Sequence, residues 1–413
     1  MLKIVFPVCC GIDVHKDFVV ACIAGTDSKN ITTYQTKRFS TFTKSLRELS
    51  EWLRSNSCTD VCMESTGKYW HPVFNILENT CKVIIAHPKY VKAIRGKKTD
   101  KKDAKWIADL FKHDLIVSSF IPELCIRQLR DLCRYYEKLT NMSSSEKQRT
   151  QNCLTTSNIQ LANVVSDIYG KSAQRILTKI LETPPGVPFD VAPLLHKSMK
   201  SKIEDIEYAI DGIITKEQAE KLKIIEQHFN SLQLCRENLE QIIFDLAEPY
   251  AHEIELLQTV PGISSKLTAI RIISEVSADV SSFPTSKHLC SWAGLTPQNN
   301  ESAGKKKSVR VSKAGCYIKP LLVQCGLAAM RSKNNLEFVN RYQNLKKRRG
   351  HKKAIIAVAR MLLTAVYHIL KGKVAYNADL YSHYKLLPTS KEITMEQALF
   401  LVKKQGYQVI SAS

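Results

Sequence analysis

Between Val8 and Phe120, strand-favouring and helix-favouring runs follow one another in a fixed order, with four carboxylates at or near their ends. Val8 to Val14 and Phe18 to Ala24 are two β-rich runs joined by the polar His15-Lys16-Asp17, which predicts a hairpin. Ile31 to Phe39 alternates as a third strand. Leu46, Leu49 and Leu53 recur at helical spacing over Ser45 to Arg54. A short strand over Asp60 to Glu64, a helix over Tyr69 to Glu78, a strand over Lys82 to Ala86 and a helix over Asp100 to Lys112 complete the series. In the last helix Ala104, Ile107, Ala108 and Phe111 form one apolar face.

Three meandering strands followed by helix, strand, helix, strand and helix is the element order of an α/β, ribonuclease-H-like (RuvC-like) fold, assigned here to residues 1–120. Residues 121–248 differ. Apolar residues recur at three and four with charges between them, predicting long helices, either a coiled coil or a bundle. The prolines at 184, 185, 188 and 193 are expected to mark the turn between two antiparallel arms. Residues 249–413 read as a third, mostly helical domain. Thr259 to Ser264 between apolar helical runs has the form of a helix-hairpin-helix, whose Gly262 turn can offer backbone amides to a phosphate. A polar loop is expected over Thr296 to Ser312, a helix from near Tyr317, and a basic helix over Leu336 to Leu370.

Charge narrows the partners. The chain carries 60 basic and 39 acidic residues, a net +21, and a protein this basic attracts polyanions, of which nucleic acid is the commonest. An anionic membrane is the competing surface, but no 18-residue apolar run or lipidation motif is apparent, and the segment before Cys10 does not read as a signal peptide. The 13 cysteines lack Cys-x-x-Cys pairing, which argues against a zinc site or a secreted disulfide framework and for reduced, buried thiols in a cytoplasmic protein.

The carboxylates carry the chemistry. Asp13 lies in an otherwise apolar strand, where an unpaired acid is costly, and Glu64 ends a second strand in the same way. Asp100 and Asp103 are three apart and share a helix face. Together they can surround hard divalent cations, Mg²⁺ or Mn²⁺, as phosphodiester chemistry uses them. The alternative for the helical pair is capping, with Asp100 as N-cap and Asp103 its partner. Basic residues crowd this region. Eight lie between Lys89 and Lys105, Lys97, Lys98, Lys101 and Lys102 among them, and Lys346, Lys347, Arg348 and Arg349 form a second patch; both suit a phosphate backbone. None of His15, His71 and His87, which follow or lie near strand ends, is assigned as a ligand, and most of them read as structural.

Gly11-Ile12-Asp13-Val14-His15-Lys16, Met63-Glu64-Ser65-Thr66-Gly67 and Lys98 to Ala104 resemble the DEDD transposases of bacterial insertion sequences. Val260-Pro261-Gly262-Ile263, Phe283 to Lys287, Ala293 to Pro297 and Ser302-Ala303-Gly304-Lys305 resemble that family's C-terminal transposase domain. The resemblance implies catalytic metal ligands at Asp13, Glu64, Asp100 and Asp103 and a serine nucleophile at Ser302, with Ser308 and Ser312 as its alternatives. Lys305, Lys306, Lys307 and Arg310 would then flank the attacked phosphate. It further implies element-end and target double-stranded DNA, a structured bridge RNA as guide, a dimer or tetramer, and a nucleoid-associated bacterial protein. Two other functions compete: a RuvC-like hydrolytic nuclease or junction resolvase, with water as attacker, and an inactive nucleic-acid-binding scaffold whose acids are caps.

Overall fold

The computed structural model describes residues 2–91, 99–184, 186–297, 300–302, 305–308, 310–331 and 336–377, with isolated positions between 395 and 406. The chain divides into two units, Met1–Ile121 and Pro122–Ser413.

The first unit contains β1 (Val8–Val14), β2 (Phe18–Thr26), β3 (Thr32–Ser40), α1 (Thr43–Ser55), β4 (Asp60–Glu64), α2 (Trp70–Leu77), β5 (Lys82–Ala86), the single turn α3 (Pro88–Val91) and α4 (Asp100–Lys112). The five strands form one sheet in the order β3-β2-β1-β4-β5. β1–β2 and β2–β3 pair antiparallel, while β4 runs parallel to β1 and β5 parallel to β4. The ribonuclease-H-like expectation holds. Alternation along β1 divides its side chains between two cores. Cys10, Ile12 and Val14 pack with Leu46, Leu49, Leu53 and Val73 of α1 and α2, whereas Cys9 packs with Ile107, Ala108 and Phe111 of α4.

The second unit is helical: α5 (Leu124–Thr156), α6 (Leu161–Val164), α7 (Lys171–Glu182), α8 (Ile203–Ala209), α9 (Lys216–Leu246), α10 (Ala251–Gln258), α11 (Lys266–Val276), α12 (Ser286–Trp292), the strands β6 (Asn300–Ser302) and β7 (Lys305–Ser308), α13 (Ile318–Arg331), α14 (Leu336–Arg349) and α15 (His351–Gly372). α5 and α9 lie side by side and antiparallel, as Cys153–Gln218, Glu146–His228 and Tyr136–Glu240 contacts show.

Four details correct the sequence reading. The proline-rich stretch is not the bend between the arms; residues between α5 and α9 form a small helical cap, with its own core of Leu161, Ile168, Ile176, Val191 and Ile206. Pro184, Pro188 and Pro193 belong to this cap, while Pro185 lies outside the described residues. The expected single helix from Leu336 is two, because Gly350 (φ 79°) separates α14 from α15. The polar loop contains the β6–β7 hairpin, closed by a Pro297–Val311 bridge. Finally, α15 is apolar and long enough to cross a membrane by length and composition, contrary to the expected lack of such a run, although 56% of its apolar window is buried in the chain.

Candidate metal centre

The acids of the first unit are positioned by a close backbone contact as well as by side-chain packing. A Cβ at Gly11 would lie 2.3 Å from the amide nitrogen of Ala108 and 2.4 Å from the carbonyl oxygen of Ala104. Only a residue without a side chain lets α4 lie this close against β1. Gly11 and Asp13 project from the same face of β1, the face α4 covers. On β4, Cys62 packs in the α4-side core, so Glu64, two residues on, emerges on that face as well. The parallel register that pairs Ile12 with Met63 sets Asp13 beside Glu64 at the C-terminal ends of adjacent strands.

Asp100 and Asp103 occupy the first turn of α4, and the N-cap is Thr99, whose hydroxyl accepts from the Lys102 amide at 3.4 Å. The capping alternative for Asp100 therefore fails. Both carboxylates sit at the positive end of the helix dipole, which favours them there. Asp13 is buried, with a side chain only 10% exposed. Burial pushes its pKa above the ordinary carboxylate value; His15 opposes this, while Asp103 and Asp100 add to it. Asp13 thus stands in the field of the other acids and is short of positive charge, the condition a cation would relieve.

His15 is the residue that sequence reasoning missed. Its Nε2 lies 3.1 Å from Asp13 Oδ2 and 3.6 Å from Asp100 Oδ1, and donor atoms of the three residues all lie within 4.8 Å of one another. The available signal was spacing, since residues two apart on a strand share a face. The donor set, mostly carboxylate oxygen, fits a hard divalent cation held by Asp13, Asp100 and their neighbours Glu64 and Asp103.

The remaining predicted residues fall as follows. Lys101 and Lys102 are exposed on the first turn of α4, and Lys97 and Lys98 lie outside the described residues. Ser302 pairs with Lys305 across the hairpin, and Lys306 with Glu301. Lys307 lies on β7, and Arg310 is exposed beyond it. At the neck of this loop, a Cβ at Gly315 would strike the Ala293 carbonyl oxygen at 2.1 Å, so the two ends of the loop are in backbone contact. Ser308 is on β7, while the Ser312 hydroxyl accepts from the Ala314 amide at 3.3 Å within a turn. Gly262 has a packing role: its Cβ would meet Cys325 O of α13 at 2.2 Å. Lys346, Lys347, Arg348 and Arg349 are exposed in the last turn of α14. A separate cavity of about 720 Å³, lined by Ile180, Pro188, Tyr208 and Ile214 in the helical cap, contains none of these residues.

Residues 10–159 match a DEDD transposase family of the IS110 type, and residues 254–343 match the transposase IS116/IS110/IS902 family. The pilin gene-inverting proteins of Moraxella bovis and Moraxella lacunata are each 29% identical to this chain over 138 residues, 32% of it. The match spans 40% of the length of each relative.

Proposed function

The chain belongs to the IS110-type DEDD transposases, and on that premise we propose that it is a DNA recombinase that cuts and rejoins strands to move its own element. The observation that carries this reading is the gathering of Asp13, Glu64 and the first turn of α4 on one sheet face, where acids collect around a buried, charge-starved carboxylate. The relatives' name, a protein that inverts a gene, describes a cut-and-rejoin reaction of the same kind.

Asp13, Glu64, Asp100 and Asp103 would hold Mg²⁺, or Mn²⁺ in its place. Bound there, the cation would polarise the scissile phosphate and offset the charge that develops on it. Ser302 attacks phosphorus through its hydroxyl oxygen. The Ser–O–P bond forms, the bond to one deoxyribose oxygen breaks, and that oxygen leaves as a hydroxyl carrying the proton the serine gives up. Attack by a strand-end hydroxyl reverses the step, so the phosphoester bond is conserved and rejoining needs no nucleotide triphosphate. Lys305, Lys306, Lys307 and Arg310 supply positive charge near the serine. Lys97, Lys98, Lys101, Lys102 and the cluster from Lys346 to Arg349 track phosphate backbone of the element-end and target DNA and of a guiding bridge RNA, in a dimer or tetramer.

The deciding experiment incubates the full chain with nicked substrate DNA, Mg²⁺ and the element's RNA, and looks for a covalent protein–DNA adduct on denaturing gels. An adduct that disappears in Ser302→Ala and in Asp13→Asn is the expected result. Free cleaved DNA with no adduct would establish the hydrolytic nuclease instead. Undiminished binding without cleavage would leave a scaffold.

A further inference from the structure

Four carboxylates account for a DEDD site without help from any histidine, yet His15 stands beside two of them, its backbone and its ring held by three contacts. Its amide donates to the Phe18 carbonyl at 3.0 Å, closing the β1–β2 turn. Its ring packs on that of Phe18 at 4.5 Å between centroids, and Phe18 in turn carries the Arg38 guanidinium at 3.6 Å. The third constraint is Nε2 itself, 3.1 Å from Asp13 Oδ2 and 3.6 Å from Asp100 Oδ1.

Those separations are informative. A cation that holds its ligands at about 2.1 Å in octahedral geometry keeps neighbouring donor atoms about 3.0 Å apart. The two separations from His15 Nε2, 3.1 Å to Asp13 Oδ2 and 3.6 Å to Asp100 Oδ1, lie near that spacing, and the three donors are all within 4.8 Å of one another. Asp13 is buried while the other two reach solvent, leaving an entry side. The same ring nitrogen faces both carboxylates, so a neutral imidazole at this place offers its Nε2 lone pair to a cation that they share. We propose that His15 is a nitrogen ligand of the metal bound by Asp13 and Asp100, and that it biases this site from Mg²⁺ towards Mn²⁺ and other transition ions. Mg²⁺ prefers oxygen and gains little from an imidazole, whereas first-row transition ions bind nitrogen donors more strongly. The inference rests on the metal-site reading above and adds to it the identity of one ligand and its effect on selectivity.

Pulsed electron paramagnetic resonance of the full chain loaded with Mn²⁺, without DNA, tests both levels separately. The wild type is expected to show ¹⁴N modulation from a coordinated imidazole, and His15→Gln to lose it. The same variant is expected to bind Mn²⁺ roughly tenfold more weakly, while Mg²⁺ binding, measured by competition, changes much less. Bound Mn²⁺ with no nitrogen modulation in the wild type, or with modulation that persists in His15→Gln, would overturn the assignment of His15 and leave the acidic site standing. Absence of Mn²⁺ binding in the wild type, or equal binding in Asp13→Asn, would overturn the metal site and the histidine ligand together.

Discussion

In the first unit, the residues assigned to chemistry sit on the ends of core strands and on a helix whose backbone touches the sheet; in the second, Ser302 sits on a two-strand hairpin reached through a narrow neck. Acids that share a cation must keep their spacing to a few tenths of an ångström, so their mounting has to be stiff. A nucleophile on a hairpin depends for its position on how the base of that hairpin is anchored. Both anchors are glycines at backbone contacts, Gly11 against α4 and Gly315 against Ala293. Replacing each should therefore have different consequences. Gly11→Val forces a side chain into the helix backbone and is expected to destabilise the first unit by more than about 3 kcal/mol. Thermal melts should show this, together with loss of Mn²⁺ binding. Gly315→Ala is expected to leave Mn²⁺ binding intact and to lower adduct formation. Equal loss of metal binding in both variants would break the distinction.

Ion pairing separates the units again. In the second unit α11 is fastened to α5 by Glu275, whose buried carboxylate takes both donors of the Arg134 guanidinium at 2.7 and 2.9 Å. Arg130 donates to the carbonyls of Ser274 and Glu275, and Arg271 pairs with Glu137. Burial lowers the Arg130 pKa to about 10. Glu275→Ala leaves Arg134 without its partner and should cost about 3 kcal/mol, read as a lower urea midpoint. Here acid and base compensate each other within the chain. In the first unit the buried Asp13 carboxylate faces His15 at 3.1 Å, and Asp103 and Asp100 add negative charge to its surroundings, which an external cation would offset.

That contrast fixes the sign of the third prediction. The Asp13 pKa is raised, so the folded state holds this proton more tightly than the unfolded chain does. Its contribution is greatest below the ordinary carboxylate pKa and is lost as pH rises from there through the raised value. At neutral pH without metal, Asp13→Asn should therefore melt higher than the wild type. Adding Mn²⁺ should stabilise the wild type alone and reverse the order. A variant that melts lower than the metal-free wild type would mean that the carboxylate is compensated inside the chain.

Local pattern made the first unit legible in the sequence. Its strands alternate or are wholly apolar, α4 carries its apolar face at helical spacing, and the acids interrupt those patterns where nothing apolar was missing. His15 was not legible as a site residue because a polar residue in a hairpin turn is ordinary; what sets it apart is the approach to Asp100, a residue 85 positions away, and that depends on how α4 lies on the sheet. The second unit hid more. Pro184, Pro188 and Pro193 were read as one turn, whereas they belong to a cap that packs its own core, a long-range arrangement that helical periodicity does not encode. Ser302 owes its assignment to the motif and not to any local pattern of burial.

The smallest expected effect comes from two residues of the second unit that share one backbone conformation. Gly350 ends α14 at φ 79°, ψ 169°, and Ser277 ends α11 at φ 71°, ψ 160°. That region is essentially restricted to glycine, and a side chain there stores about 1–3 kcal/mol. Ser277 is buried, follows directly on the Glu275 attachment, and recovers only a 3.4 Å contact from the Asp279 amide to its hydroxyl. Ser277→Gly should relieve the strain but also loosen the unfolded chain, for a net gain of about 1 kcal/mol. Gly350→Ser should lose a similar amount. Opposite shifts in the melting temperature would show that the strain at Ser277 is real and is held in place by the packing of α11. A Ser277→Gly variant that melts lower would show that its hydroxyl contact outweighs the strain, and that α11 is attached as firmly at its end as α4 is at Gly11.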